Sequence, residues 1–117
     1  MKKIYHLSTC DTCRRILSTL EPPADTELRE IKTAPVTREE LEALKALAGS
    51  YEALFNKRAR LYRERGLGAQ TLGEPDYRDL LLEHYTFLKR PVVVAGGQLF
   101  VGNAAKTVAA AKEALHP

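Results

Sequence analysis

Lys3-Ile4-Tyr5-His6-Leu7-Ser8-Thr9-Cys10-Asp11-Thr12-Cys13-Arg14 is the stretch on which the fold turns. Lys3 to Leu7 reads as a strand, with Ile4 and Tyr5 of β-forming type. Arg14 to Leu20 reads as a helix whose Ile16, Leu17 and Leu20 share one face. Both cysteines of the chain therefore stand where a strand gives way to a helix. The first amides of a helix have no intrahelical acceptor and aim their hydrogens at that turn, so they favour an anion there. A thiol so placed ionises readily, with a pKa in the range of about 3.5 to 7.5. Cys13 falls one helical turn later, on the side of Cys10 and within reach of a disulfide. The C-x-x-C spacing in this setting reads as a redox pair with Cys10 as its nucleophile.

Two plainer readings stand beside it. A zinc site needs two further ligands, and His6, His84 and His116 are not paired at ligand spacing, so no metal is expected. Free cysteines also bury well as inert core residues, although a strand–CxxC–helix setting argues against that.

Working outward, Pro22-Pro23 stops the first helix and forces an extended turn. Thr26 to Lys32 holds only Leu28 and Ile31 as large apolar residues, and reads as a strand because the first strand needs a parallel partner. Thr37-Arg38-Glu39-Glu40 is a capping box that opens a helix with Leu41, Leu44, Leu47 and Ala48 on one face, closed by Gly49. Ser50 to Phe55 reads as a short helix. Breaks follow at Gly66-Leu67-Gly68 and Gly73-Glu74-Pro75, and a helix from Asp76 to Tyr85 carries Tyr77, Leu80, Leu81 and His84 near one face. His84 reads as a partly buried structural histidine. Val92 to Ala95, Gly96-Gly97 and Gln98 to Val101 form a hairpin whose first strand is apolar on both faces. An alanine-rich helix spans Ala104 to Leu115. The order β-α-β, a helical stretch, then β-β-α predicts an α/β fold: a four-stranded mixed sheet with a helical insertion at about residues 36–88, in a single domain spanning 1–117.

At 117 residues the chain is long enough for a core without disulfide staples, and 44% hydrophobic with 28% charged residues is ordinary for a globular protein. Two cysteines are too few for a secreted disulfide scaffold, no apolar run approaches membrane-spanning length, and Met1-Lys2-Lys3 leads straight into a strand. The expectation is a cytoplasmic protein with no membrane partner. Lys57, Arg58, Arg60, Arg63 and Arg65 cluster within nine residues. Such a cluster serves as a phosphate-binding face, a partner-binding face or, most commonly, a solvated helix surface. One basic cluster, with Tyr62 its single aromatic, falls short of a nucleic-acid module, so no direct nucleic-acid binding is expected.

Four stretches taken together, Tyr5 through Arg14, Ile31-Lys32-Thr33 with Pro35 and Glu39-Glu40-Leu41, Leu54-Phe55-Asn56-Lys57-Arg58, and Leu88-Lys89-Arg90-Pro91-Val92-Val93, carry a resemblance along nearly the whole chain. The sequence resembles the glutaredoxin-linked arsenate reductases and their Spx-type regulator relatives, the ArsC/Spx group. The resemblance implies a thioredoxin-like fold, with Pro91 in the cis form and its loop facing the redox turn, which delivers Arg90 next to Cys10. It implies that Cys10 attacks the arsenic of arsenate and that Arg58 and Arg90 hold the oxyanion. It further implies that glutathione is a co-substrate, with glutaredoxin or another thiol reductant as partner and no bound cofactor. A guanidinium fork suits a tetrahedral oxyanion, and its charge also favours a thiolate. Asp11, Thr12 and Pro91 are then site-shaping residues.

The sequence departs from the reductases in two places. They carry a third arginine just past the last strand, where this chain reads Gly102-Asn103-Ala104-Ala105-Lys106. They also usually lack a cysteine where Cys13 stands, and Cys13 resembles the Spx type, whose cysteine pair forms a regulatory disulfide. Two functions are thus expected. One is a thiol oxidoreductase in which Cys13 resolves the adduct on Cys10; the other is a redox-sensing regulator that binds the RNA polymerase alpha subunit.

Overall fold

Strand β1 (Lys2–His6) is paired along both edges, parallel to β2 (Glu27–Glu30) and antiparallel to β3 (Val92–Ala95). β4 (Gln98–Val101) adds antiparallel to β3, which gives a mixed sheet of order β2-β1-β3-β4. The computed structural model describes residues 1–117 and resolves two units: Met1–Ala34 with Arg90–Pro117, and Pro35–Lys89.

In the first unit the sheet and two helices, α1 (Asp11–Leu20) and α5 (Ala105–Leu115), share one apolar cluster. Ile4 from β1, Ile16 and Leu20 from α1, Val93 and Ala95 from β3, and Ala111 and Leu115 from α5 are all buried in it. Strand side chains alternate between faces, so Lys3 and Tyr5 point away from that cluster, yet both are buried. Lys3 tolerates this because its ammonium reaches Glu27 at 3.1 Å and stands 5.0 Å from the centre of the Tyr5 ring. The chain turns from β3 to β4 through Gly96 and Gly97, at φ 58° and 74°. A two-residue hairpin turn with both φ positive suits glycine, as the sequence predicts.

Several boundaries differ from the sequence expectation. Helix α1 begins at Asp11, three residues before Arg14, because Cys10 takes the cap position in extended conformation (φ −93°, ψ 116°). Its last helical residue is Leu20, as expected, followed by the cap Glu21, a left-handed residue at φ 46°, before Pro22-Pro23. β2 covers only Glu27–Glu30, and its Leu28 is 52% exposed while Ile31, just past the strand, is buried. The strand exists through its ladder with β1, not through an apolar face of its own.

The second unit is built on Phe55, which is buried. Its ring stacks on Phe87 with centroids 5.1 Å apart and meets Tyr77 edge-on at 4.9 Å and Tyr62 at 5.9 Å. α2 (Arg38–Ala48) opens with the expected capping box: Glu40 N–H donates to Thr37 Oγ1 at 3.1 Å and Thr37 N–H donates to Glu40 Oε1 at 3.0 Å. Gly49 closes it at φ 94°, but Leu47, expected on the apolar face, is 48% exposed. The expected Ser50–Phe55 helix is a single 3₁₀ turn, Glu52–Leu54, its start held by the Glu74 carboxylate, which accepts from the amides of Tyr51 and Glu52. α3 (Arg60–Glu64) carries part of the basic cluster in a short exposed helix. α4 runs Glu74–Glu83, starting two residues before Asp76 because Pro75 fits the first turn. His84 ends it, and its Nδ1 accepts from Thr86 N–H at 3.1 Å, the structural role expected.

Candidate active site

The loop between β1 and α1 is closed by Cys10 N–H donating to Leu7 C=O at 3.1 Å, and α1 starts with Arg14 N–H donating to Cys10 C=O at 3.0 Å. This turn leaves Cys10 partly exposed and Cys13 fully buried, both as free thiols. The Cys10 sulfur makes no capping hydrogen bond of standard geometry, yet the Cys13 amide still acts on it as a donor. Burial alone pushes the Cys10 thiol up. The Cys13 amide, the Cys13 thiol and Arg90, the last through both a hydrogen bond and its charge, outweigh burial and hold Cys10 below its ordinary value. Cys13 moves the other way: burial pushes it up to about 11, against a hydrogen bond from the Leu7 backbone, and the neighbouring Cys10 adds to the rise.

Arg90 enters this site from two residues before β3. The Arg90–Pro91 peptide is cis, and Pro91 is buried with its carbonyl accepting from Gly102 N–H at 2.9 Å, one step beyond the β3–β4 ladder. Cys10, Cys13, Arg90 and Pro91 thus belong to one unit. Asp11 is exposed and pairs with Arg14 one turn along the helix, while Thr12 is half-buried at the second helical position. Arg58 belongs to the other unit, exposed, its amide donating to Asn56 Oδ1 at 3.0 Å. Arg65 and Lys57 are engaged in ion pairs with Glu83 and Glu52.

One residue at the loop carries no signal in the sequence. Glu30 lies at the end of β2, and its Oε2 accepts from Ser8 N–H at 2.7 Å, across 22 residues of chain. A glutamate at a strand end reads as an ordinary polar terminus; only the β1–β2 register, which sets His6 beside Glu30, brings it to the loop. No three His, Cys, Asp or Glu side chains gather where they can hold a metal ion.

The sequence profile described as the ArsC family matches residues 5–111. The chain belongs to the ArsC family. An arsenate reductase of Rhizobium meliloti (strain 1021) is 32% identical over 94 residues, covering 79% of this chain and 67% of that protein. An arsenate reductase of Escherichia coli (strain K12) is 34% identical over 94 residues, covering 78% of this chain and 66% of the relative. The chain therefore spans about two thirds of the length of these curated relatives. A solved arsenate reductase from Vibrio cholerae superposes with a TM-score of 0.76 at 25% identity, covering 97% of this chain and 96% of that one. An arsenate reductase related protein from Brucella melitensis, at 24% identity and a TM-score of 0.71, shares the fold. The fold is the ArsC type of thioredoxin-like sheet, and ArsC membership supports a thiol-based oxidoreductase. No helix is long and apolar enough to cross a membrane.

Proposed function

We propose that the protein is an arsenate-reductase-like thiol oxidoreductase that works through Cys10. The observation that carries this is the pairing of a partly exposed, acidified Cys10 with a buried, protonated Cys13 and with Arg90 at the same helix start. The Cys10 thiolate attacks the central atom of the oxyanion, arsenate in the reading favoured by the family, and a hydroxide leaves as water after protonation. Arg90 holds the oxyanion and the amides of residues 11 to 13 complete the cradle; Arg58 is assigned to the oxyanion by the family resemblance alone. Asp11, Thr12 and Pro91 shape that cradle.

Cys13 resolves the adduct. Its sulfur attacks the Cys10 sulfur, the Cys10–Cys13 bond forms, and the pair of electrons released reduces arsenic(V) to arsenic(III), which departs as arsenite. The geometry favours this order. Two of the causes that keep Cys13 protonated are the charge and the hydrogen bond of Cys10, and both vanish once Cys10 is bonded. Two thiol equivalents, from glutathione or from a glutaredoxin, then reduce the disulfide.

The test is turnover of arsenate with glutathione and glutaredoxin by wild type, Cys10→Ser and Cys13→Ser. Loss in both variants supports the internal disulfide, and loss in Cys10→Ser alone moves resolution to glutathione. No turnover by the wild type removes the enzyme reading. The Cys10–Cys13 pair also favours a second reading, a redox-sensing regulator of the Spx kind that binds the RNA polymerase alpha subunit. A pull-down with that subunit that recovers nothing in either redox state removes it.

A further inference from the structure

The turn that presents Cys10 is short of internal bonds. Cys10 N–H reaches Leu7 C=O, and the residue after Leu7 is Ser8, whose amide donates to a side chain from β2. That side chain, Glu30, spends both carboxylate oxygens on backbone. Oε2 accepts from Ser8 N–H at 2.7 Å, and Oε1 accepts from Lys32 N–H at 2.7 Å and Thr33 N–H at 3.0 Å. The Thr33 hydroxyl lies 3.5 Å from Oε1. A second tie runs alongside, Ile31 N–H to His6 C=O at 3.0 Å. The two exits, from β1 into the redox turn and from β2 toward Pro35, are thus riveted together by one carboxylate.

We propose that Glu30 is a positioning residue for Cys10, clamping the Ser8–Cys10 turn so that the sulfur stays in line with the Cys13 amide and Arg90. The inference rests on the reading of Cys10 as the nucleophile. Apart from the charge of Arg90, what acidifies Cys10 is directional: an amide, a thiol and a guanidinium each act over a hydrogen-bond length. Sulfur that drifts with a loosened turn keeps its burial and loses those donors. The bonds on Glu30 are charge-assisted and correspondingly firm. Burial pushes its carboxyl up, but the amides of Ser8, Thr33 and Lys32 hold it down to about 2, so the clamp is ionised throughout the working range of a thiol.

The sign of the effect separates positioning from simple charge. Glu30 is an anion near a thiolate, so removing its charge by through-space electrostatics alone lowers the thiol pKa. Loss of positioning raises it. The experiment is the rate of iodoacetamide alkylation of Cys10 against pH for wild type, Glu30→Gln and Glu30→Asp, with folding checked by circular dichroism. Gln keeps the shape but offers a carbonyl to only one side of the clamp; Asp keeps the charge but is one methylene too short to span it. The expected result is a Cys10 midpoint raised by about half a unit or more in both variants, roughly a threefold loss of thiolate below the midpoint. Ala110→Gly, on the exposed face of α5, destabilises a helix without touching the turn, and its midpoint is expected to match wild type. An unchanged or lowered midpoint in the Glu30 variants overturns the proposal while leaving Cys10 as nucleophile. A wild-type midpoint at the ordinary thiol value of about 8.5 overturns the nucleophile reading and this inference with it. If Glu30→Gln fails to fold, Glu30→Asp alone decides.

Discussion

A thiol held up to about 11 stays protonated at neutral pH, so Cys13 donates a hydrogen to its neighbour and does not react first. Iodoacetamide at neutral pH is expected to mark Cys10 alone in the folded protein and both cysteines after unfolding. Mass spectrometry counts the adducts, and two on the folded chain would end the division of labour between the thiols. Glu30 gives a second prediction at this scale. Its folded pKa of about 2 lies below its ordinary 4.5, so its stabilisation is complete above 4.5 and fades as pH falls toward 2. Thermal melts should show wild type more stable than Glu30→Gln at about pH 6, with the gap closing in acid. Glu52 is also held below its ordinary value, by Lys57, so only the difference between the two proteins isolates Glu30.

Among the elements, α2 has the most local origin. Its box closes between Thr37 and Glu40, residues three apart, and Thr37→Ala is expected to cost about 1 kcal/mol in urea unfolding. An unchanged midpoint would show that the cap contributes nothing. This is also why α2 was readable in advance: the signal and the bond lie within four residues. The hairpin of β3 and β4 was readable for the same reason, two glycines between two apolar runs. β2 has no such local signal, since its residues are polar and Leu28 faces solvent; the strand was expected only because the first strand needs a parallel partner, and that partner is where the structure has it. Its place comes from the ladder Lys3↔Glu27 to His6↔Glu30, a pairing between residues too far apart in the chain for any local window to reveal. The early start of α1 escaped for a third reason. Cys10-Asp11-Thr12-Cys13 lacks apolar periodicity, and the helix begins there because Cys10 turns out of it as cap. The candidate site follows the same rule. Cys10 and Cys13 were visible as a spacing and Arg90 through family resemblance, whereas Glu30 depends on register alone.

Across the whole molecule, the cluster beneath the sheet draws on both ends of the chain, from Ile4 to Leu115. The last helix is therefore a wall of the first unit, tied further by Lys112 to Glu21 at 3.2 Å and by His116 Nε2 to Leu20 C=O at 2.9 Å. Leu115→Ala empties a fully buried position and is expected to cost about 2–5 kcal/mol in urea or thermal unfolding; a loss below about 1 kcal/mol would place Leu115 outside the core. The interruption of this unit by Pro35–Lys89 has a consequence for the order of birth. On the ribosome the interrupting segment emerges whole before Arg90, β3 and α5 exist. The Cys10 loop, made first, waits unpartnered on one side until translation has passed Leu115. The nascent chain therefore carries the Cys10 sulfur before Arg90, one of the groups that acidify it, has been made.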